Sequence, residues 1–303
     1  MKTIIAHPNF QYLANELVEK NADALKHGRV DFARFPDGTP NLFIHDVKET
    51  IEHRDVTYIG DFSSNEHLFE QLALIRWIVD YYASKVRIIV PYFNCGTMER
   101  QSKKGEVATA RYLADEFSSL PSGRDAKNSL HTFDIHALQE RFYFDSRTIN
   151  AELHTTISLI KQQIPKDTVI VFPDEGAAKR FSEDFKEYEK IICSKLREGD
   201  TRKITIKEGN PQWKNVVIVD DLIQSWGTLV ETAWVLRQLW AVSVKAFAPH
   251  GVFPKDSHKR VAGEFDSLIV TDTIPENNNR VQQETNMQVL SIVSLIEKII
   301  LRN

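Results

Sequence analysis

The sequence predicts an α/β chain of two doubly wound domains built on mostly parallel sheets. Val216-Val217-Ile218-Val219 is a run of four β-branched residues, the composition of a strand buried on both faces. Such apolar runs alternate with segments of helical spacing, and the alternation recurs at similar length in the second half. At 303 residues the chain can carry two cores of ordinary size. The expected domains are 1–148 and 149–303, with the last helix available to pack on the N-terminal domain. The halves share no strong internal identity, so duplication follows from architecture alone.

Taken in order, Thr3–Ala6 reads as a short strand, and Leu13, Leu17 and Ala22 mark one face of a helix. Arg29–Phe35 alternates as a half-buried strand. Pro36–Pro40 is a turn by composition, and Asn41–Ile44 a short strand after it. Val56–Gly60 is a strand. A helix marked by Leu68, Leu72, Ile75 and Val79 follows, with Ser63, Ser64 or Asn65 as its cap. Val86–Val90 is a buried strand. Asn94–Gly105 is polar without apolar period, helix returns from Glu106, and Ser118–Ser129 reads as a mobile surface loop. Leu130–His136 is a strand closing the first half.

In the second half Leu153, Ile157 and Ile160 mark a helix, and Thr168–Phe172 a strand ending at Asp174. Ile191–Ser194 is a strand ending at Lys195–Arg197, and Lys203–Lys207 one arm of a hairpin. Val244–Ala248 and Ser267–Thr271 are strands, and Ile292, Leu295, Ile296, Ile299 and Ile300 give an amphipathic last helix.

Composition narrows the function classes. The 42% hydrophobic and 26% charged fractions belong to a soluble globular protein. A net charge of −4 gives no basic surface for nucleic acid. The N-terminal apolar run is too short for a signal peptide, and no stretch is long enough to span a membrane. Cys95 and Cys193, far apart and without a CxxC neighbour, suggest neither a disulfide nor a zinc site; both read as buried thiols in a reducing cytoplasm. Ten histidines are scattered singly, none paired at the i, i+4 spacing of a helical metal site.

The chemistry gathers at residues 216–229. The buried strand ends in Asp220-Asp221, a loop with Ser225, Gly227 and Thr228 follows, and helical spacing resumes at Leu229. Free backbone N–H groups and the positive end of that helix would hold a phosphate. Carboxylates beside a phosphate repel it unless they bind sugar hydroxyls or a cation, so a sugar phosphate is the natural guest.

This loop resembles the phosphoribosyl-pyrophosphate loop of type I phosphoribosyltransferases and of ribose-phosphate pyrophosphokinases. Other stretches point to the second family: Arg34-Phe35-Pro36-Asp37-Gly38, Phe62-Ser63-Ser64, Asp134-Ile135-His136-Ala137-Leu138-Gln139-Glu140-Arg141-Phe142-Tyr143-Phe144, Lys195-Leu196-Arg197-Glu198-Gly199-Asp200 and His250-Gly251-Val252-Phe253-Pro254. The chain is similar to the class II, plant-type branch over nearly its whole length. The resemblance implies two domains of type I phosphoribosyltransferase-like fold. It also implies a ribose-phosphate diphosphokinase that passes the β,γ-diphosphoryl group of Mg-ATP, or another nucleoside triphosphate, to the 1-hydroxyl of ribose 5-phosphate.

The resemblance also distributes roles. Lys195, Arg197 and His136 would be catalytic, with His136 and Asp174 on the side of the Mg²⁺ cofactor. Asp220 and Asp221 would hold the ribose hydroxyls, while Gln224, Ser225, Trp226, Gly227 and Thr228 would wrap the 5-phosphate. Phe35, Asp37, Asn41, Glu99 and Arg100 would bind nucleotide, the first three by reaching a neighbouring subunit of a homo-oligomer. The active site would lie between the domains. Thr97 and Met98 stand where class I enzymes place Arg-Gln, and Gln224 where they place Asp, both in keeping with class II. Trp226 occupies a position the family gives to a small residue, and Trp240 one where a helix-terminating Gly is expected. The rival readings are a non-catalytic regulatory paralogue with an altered loop, and a phosphoribosyltransferase.

Overall fold

The computed structural model describes residues 1–198, 201–224 and 227–302; the side chains of residues 196–198 and 201–203 lie outside that description. The chain forms two compact units, Met1–His154 with Val293–Asn303, and Thr155–Ile292.

The first unit begins with β1 (Lys2–Ala6), α1 (Gln11–Lys20) and β2 (Leu25–His27). Next come β3 (Val30–Arg34), β4 (Pro40–Ile44), α2 (Val47–Thr50) and β5 (Asp55–Ile59). α3 (Leu68–Asp80), β6 (Lys85–Val90), α4 (Thr109–Ser118), β7 (Asn128–Phe133) and β8 (Ile149–His154) complete it. Six strands form a parallel sheet in the order β2-β1-β5-β6-β7-β8. Val56, Tyr58, Ile88, Val90 and Leu130 pack from the sheet against Leu74, Ile75 and Ile78 of α3 and Leu113 and Phe117 of α4. Each such buried aliphatic side chain contributes about 1.5–3 kcal/mol relative to exposure. β3 and β4 form a separate antiparallel hairpin whose tip, Phe35–Thr39, places Gly38 at φ +86°.

The second unit starts with α5 (Ile157–Lys161), β9 (Val169–Phe172) and α6 (Glu175–Phe181). β10 (Lys190–Glu198), β11 (Thr201–Glu208), β12 (Asn215–Val219), β13 (Leu222–Ile223) and α7 (Thr228–Gln238) follow. After them come β14 (Ser243–Phe247), β15 (His250–Gly251), α8 (His258–Ala262), β16 (Ser267–Thr271), α9 (Asn277–Val281) and β17 (Met287–Leu290). The seven-stranded sheet runs β11-β10-β9-β12-β14-β16-β17 and is parallel except for β10 against β11. Its core joins Val171, Ile218, Ala246 and Val270 to Val230, Ala233 and Leu236 of α7. The last helix, α10 (Val293–Leu301), belongs to the first unit: Lys2 Nζ donates to the Ile300 carbonyl at 2.7 Å, and Asn21 Nδ2 to Glu297 at 2.7 Å. No helix among the described residues is long and apolar enough to cross a membrane.

Several elements differ from expectation, each for a local reason. α1 stops at Lys20, short of Ala22. α4 starts at Thr109 rather than Glu106, because the Glu106 carboxylate accepts from the Ser102 and Lys103 N–H groups and closes a loop. The segment 118–129 is pinned: Arg124 N–H donates to Ala83, Asp125 N–H to Ser84, and the Asn128 side chain joins Val86 N–H to the Pro121 carbonyl. β7 accordingly begins at Asn128, and it ends at Phe133 because Asp134 turns at φ +39°. Leu153 lies in β8, not in a helix; Ile149, Ala151 and Leu153 alternate toward the core with Asn150, Glu152 and His154 opposite. β10 continues through Lys195 and Arg197 instead of ending before them. β17 is additional. Cys193 is buried as expected, whereas Cys95 is only half-buried.

Where β10 leaves β9, its register with β11 shifts between Ile192 and Cys193, a bulge. Gly209 ends β11 at φ +88°, where an added Cβ would stand 2.7 Å from the Lys190 carbonyl oxygen and 3.1 Å from Ile191 Cα. Both neighbours are backbone and cannot move aside. Gly209→Ala is expected to cost about 2–4 kcal/mol, read as a lowered denaturant midpoint. A midpoint within error of the native chain would show that the strain is absent.

Candidate active site

β9 and β12 are neighbouring parallel strands, with Val171 opposite Ile218. Their carboxyl ends therefore deliver Asp174 and Asp220-Asp221 to the same edge, where open α/β sheets bind ligands. Asp174 caps α6 by accepting from Ala177 N–H at 2.9 Å, and its other oxygen accepts from Lys195 Nζ at 2.8 Å. Burial alone would raise this carboxyl. The Lys195 ammonium and the Ala177 N–H outweigh it and hold Asp174 below the usual carboxylate range. Asp220 moves the other way: burial, then the charges of Asp221 and Asp174, push it well above that range. Burial, with the charge of Asp174, also pushes the Cys193 thiol up to about 11, so it is no nucleophile.

Three carboxylates at one strand edge offer only oxygen donors, the set a hard divalent cation takes. The upward shift of Asp220 comes first from burial and then from the negative charges of Asp221 and Asp174, and a bound cation would offset the second part.

Beyond the acidic pair, β13 pairs with β15, so part of the expected loop is a short strand. Gln224 is exposed and its carbonyl accepts from Ser257 Oγ at 3.3 Å. Ser225 and Trp226 lie outside the described residues. Gly227 caps α7, with open space around its Cβ position, and Thr228 is the first residue of that helix. Trp240 follows the α7 C-cap at φ +64°, the left-handed conformation a terminating glycine usually takes, with its ring centroid 6.0 Å from that of Trp213.

Sequence reasoning did not single out Glu175 and Lys207. Lys207 Nζ lies 2.6 Å from Glu175 Oε1, a second ion pair from the ribbon to the start of α6 beside Lys195–Asp174. The signal was hidden because it depends on the β10–β11 register. Arg197 is in β10, its side chain outside the description.

In the first unit, His136 sits exposed in the turn beyond β7, not at a strand end, and its Cβ is near the face of Gly96, where an added Cβ would be 3.4 Å away. The buried Glu140 carboxylate accepts from Ala137 N–H at 3.0 Å and fixes this turn. Glu99 is held by Tyr143, whose hydroxyl donates to its carbonyl at 2.5 Å, while Arg100 is exposed with its Nε 3.4 Å from Glu99 Oε1. Phe35 and Asp37 lie at the exposed tip of the β3–β4 hairpin and Asn41, also exposed, in β4 opposite Ala33; Asp37 accepts from Thr39 N–H, and Arg34 anchors the hairpin to Glu70 at 2.7 Å. The structure thus gathers Lys195, Asp174, Asp220 and Asp221, and places the nucleotide candidates on two separate loops.

Residues 3–120 match the family model for the N-terminal domain of ribose phosphate pyrophosphokinase, and residues 198–303 that for the phosphoribosyl synthetase-associated domain. The chain is 37% identical over 294 residues to the mitochondrial ribose-phosphate pyrophosphokinase 3 of Spinacia oleracea, covering 93% of this chain and 72% of that protein. It is 37% identical to ribose-phosphate pyrophosphokinase 4 of Oryza sativa subsp. japonica, covering 92% and 89% respectively. The fold matches phosphoribosylpyrophosphate synthetase from Mycobacterium smegmatis with a TM-score of 0.83 at 20% identity, over 99% of this chain and 98% of that one. With relatives of this similarity over nearly its whole length, the chain belongs to the ribose-phosphate pyrophosphokinase family.

Proposed function

We propose that this chain is a ribose-phosphate diphosphokinase. The 1-hydroxyl oxygen of ribose 5-phosphate attacks the β-phosphorus of a nucleoside triphosphate, the bond from β-phosphorus to the α-bridging oxygen breaks, and AMP leaves when ATP is the donor. The hydroxyl proton is lost as the new P–O bond forms, giving phosphoribosyl pyrophosphate. The observation that carries this reading is the Lys195–Asp174 pair beside Asp220 and Asp221, at the strand edge next to the α7 N-terminus.

In phosphoryl transfer the protein mainly positions the reactants and offsets charge. Lys195 supplies a cation on a strand, where its stem is less free than on a loop, and Arg197 is proposed as its companion. Asp220 and Asp221 accept from the ribose hydroxyls, while Gln224, Ser225, Trp226, Gly227 and Thr228 surround the 5-phosphate at the α7 N-terminus. Asp174 with Asp220 suits Mg²⁺, and His136 is the first unit's residue proposed for the metal side. When bound, Mg²⁺ neutralises triphosphate charge and polarises the β-phosphorus. Glu99 and Arg100, with Phe35, Asp37 and Asn41, are proposed to bind nucleotide. The exposed hairpin fits a contribution to a neighbouring subunit, hence a homo-oligomer. Gln224, Thr97 and Met98 support the class II branch and a wider choice of nucleoside triphosphates. Two free cysteines fit a cytoplasmic location.

The test is AMP release from Mg-ATP with and without ribose 5-phosphate, in the native chain and in Trp226→Gly. AMP formation by the native chain that depends on ribose 5-phosphate is the expected result. Silence in the native chain with turnover in Trp226→Gly would locate a block at the loop. Silence in both, from folded protein, would sink the enzyme reading.

A further inference from the structure

Away from the carboxylate edge, strand pairing assembles a second set of donors. In the β7–β8 register His131 stands opposite Glu152 and Phe133 opposite His154, so alternation puts His131, Glu152 and His154 on one face of the sheet. His131 Nδ1 is 3.0 Å from His154 Nε2 and 3.7 Å from Glu152 Oε2. One donor atom from each of the three lies within 4.8 Å of the others. Donors around a tetrahedral zinc ion stand about 3.3 Å apart, given Zn–N and Zn–O bonds near 2.0–2.1 Å. The donors need to shift by only a fraction of that spacing to meet a common ion.

The outer partners suit ligation. His131 Nε2 lies 3.0 Å from Ser129 Oγ, so a proton on Nε2 leaves the Nδ1 lone pair facing the other donors. Asn150 Nδ2 donates to Glu152 Oε1 at 3.1 Å, leaving Oε2 toward His131. The His131 side chain is only 5% exposed while that of Glu152 is 42% exposed, so the donors are reached from the side of the carboxylate. Lys85, Arg87 and Arg302 face His131, and Asp134 and Arg302 face His154. That positive surround disfavours a hard cation held by charge alone, whereas imidazole nitrogens bind a borderline metal through their lone pairs.

A similar group, His7, His67 and Glu70, is less suited. His7 Nδ1 already accepts from Asn9 N–H at 3.3 Å, and the Arg34 guanidinium takes a Glu70 oxygen at 2.7 Å.

We propose that His131, His154 and Glu152 form a zinc-class site, two imidazoles and one carboxylate with an open fourth position. Among the described residues β8 is the last strand of its sheet and pairs only with β7. A metal bridging the two strands ties that edge down just before the turn that carries His136.

The experiment uses the full chain, stripped of metal, dialysed against Zn²⁺ alone, with bound metal counted and the thermal midpoint recorded. Co²⁺ serves as a spectroscopic substitute. The native chain is expected to bind one Zn²⁺ in a manner unaffected by Asp220→Asn, to melt higher with Zn²⁺, and to show the visible absorption of tetrahedral Co²⁺. His154→Gln and the more exposed Glu152→Gln should each weaken Zn²⁺ binding by at least about tenfold and abolish the Co²⁺ absorption. The idea is overturned by any of three results. The native chain binds no Zn²⁺, both variants bind as the native chain does, or binding disappears in Asp220→Asn. In each case the two histidines are only a hydrogen-bonded pair.

Discussion

Lys195→Ala is expected to lower kcat for ribose 5-phosphate-dependent AMP release by about a hundred- to a thousandfold, the usual cost of removing one positioned group that meets developing charge. The fold should notice far less. Lys195 and Asp174 are each about one-third exposed, and a pair in such surroundings contributes about 1 kcal/mol or less. Asp174 also keeps its bond from Ala177 N–H, so the cap of α6 survives. Steady-state kinetics and a thermal melt on the same preparation separate the two effects. An unchanged kcat would remove Lys195 from the chemistry, and a collapsed melt would make it a structural residue instead.

The second large effect has opposite signs for activity and stability. On the proposed function, Asp220→Asn removes an acceptor for the ribose hydroxyls and should raise KM for ribose 5-phosphate by about a hundredfold, as expected when a buried charge-assisted hydrogen bond of about 3 kcal/mol is lost. Yet the same change removes the cost of burying the Asp220 charge and its repulsion by Asp221 and Asp174, so the ligand-free variant should unfold later than the native chain. The sign with pH follows from the raised carboxyl. The folded state holds a proton that the unfolded state releases, so native stability declines as pH rises from the ordinary carboxylate value toward the raised one. Asp220→Asn has no such decline. Parallel stability–pH curves for the two proteins would contradict the raised Asp220 carboxyl.

The strands legible in the sequence were those buried on both faces. Val216–Val219 is apolar at every position and Val86–Val90 at every position but Arg87, and that leaves a nearly continuous signature. β8 escaped because it is an edge strand with period two, whose Leu153 also falls at helical spacing from Ile157 and Ile160. β10 seemed to stop at Lys195 because its continuation pairs with β11 alone and need not be apolar. Asp220-Asp221 stood out as adjacent carboxylates after a buried run, whereas their approach to Asp174 depends on β9 lying beside β12, which no local pattern encodes. The same holds for His131, Glu152 and His154, which are scattered in sequence and joined only by strand register. Trp240 was legible as an anomaly because left-handed backbone after a helix is a local requirement.

The bulge at Ile192 and Cys193 has a consequence for how the ribbon can vary in length. Side chains on a strand alternate faces, so each residue's side is fixed by whether it stands an odd or even number of positions from a reference point. The extra residue of the bulge, Lys207, lies on β11, where Glu208 and Ile206 stand opposite Ile192 and Cys193, so the parity of β10 runs unbroken from its pairing with β9 to Lys195. Losing one residue of β10 between Ile192 and Lys195 would turn Lys195 away from Asp174 while leaving the pairing of Lys190–Ile192 with β9 in place. Related chains can therefore lengthen or shorten the ribbon beyond Lys195 freely, but between the bulge and Lys195 only paired insertions or deletions preserve the direction of that cation.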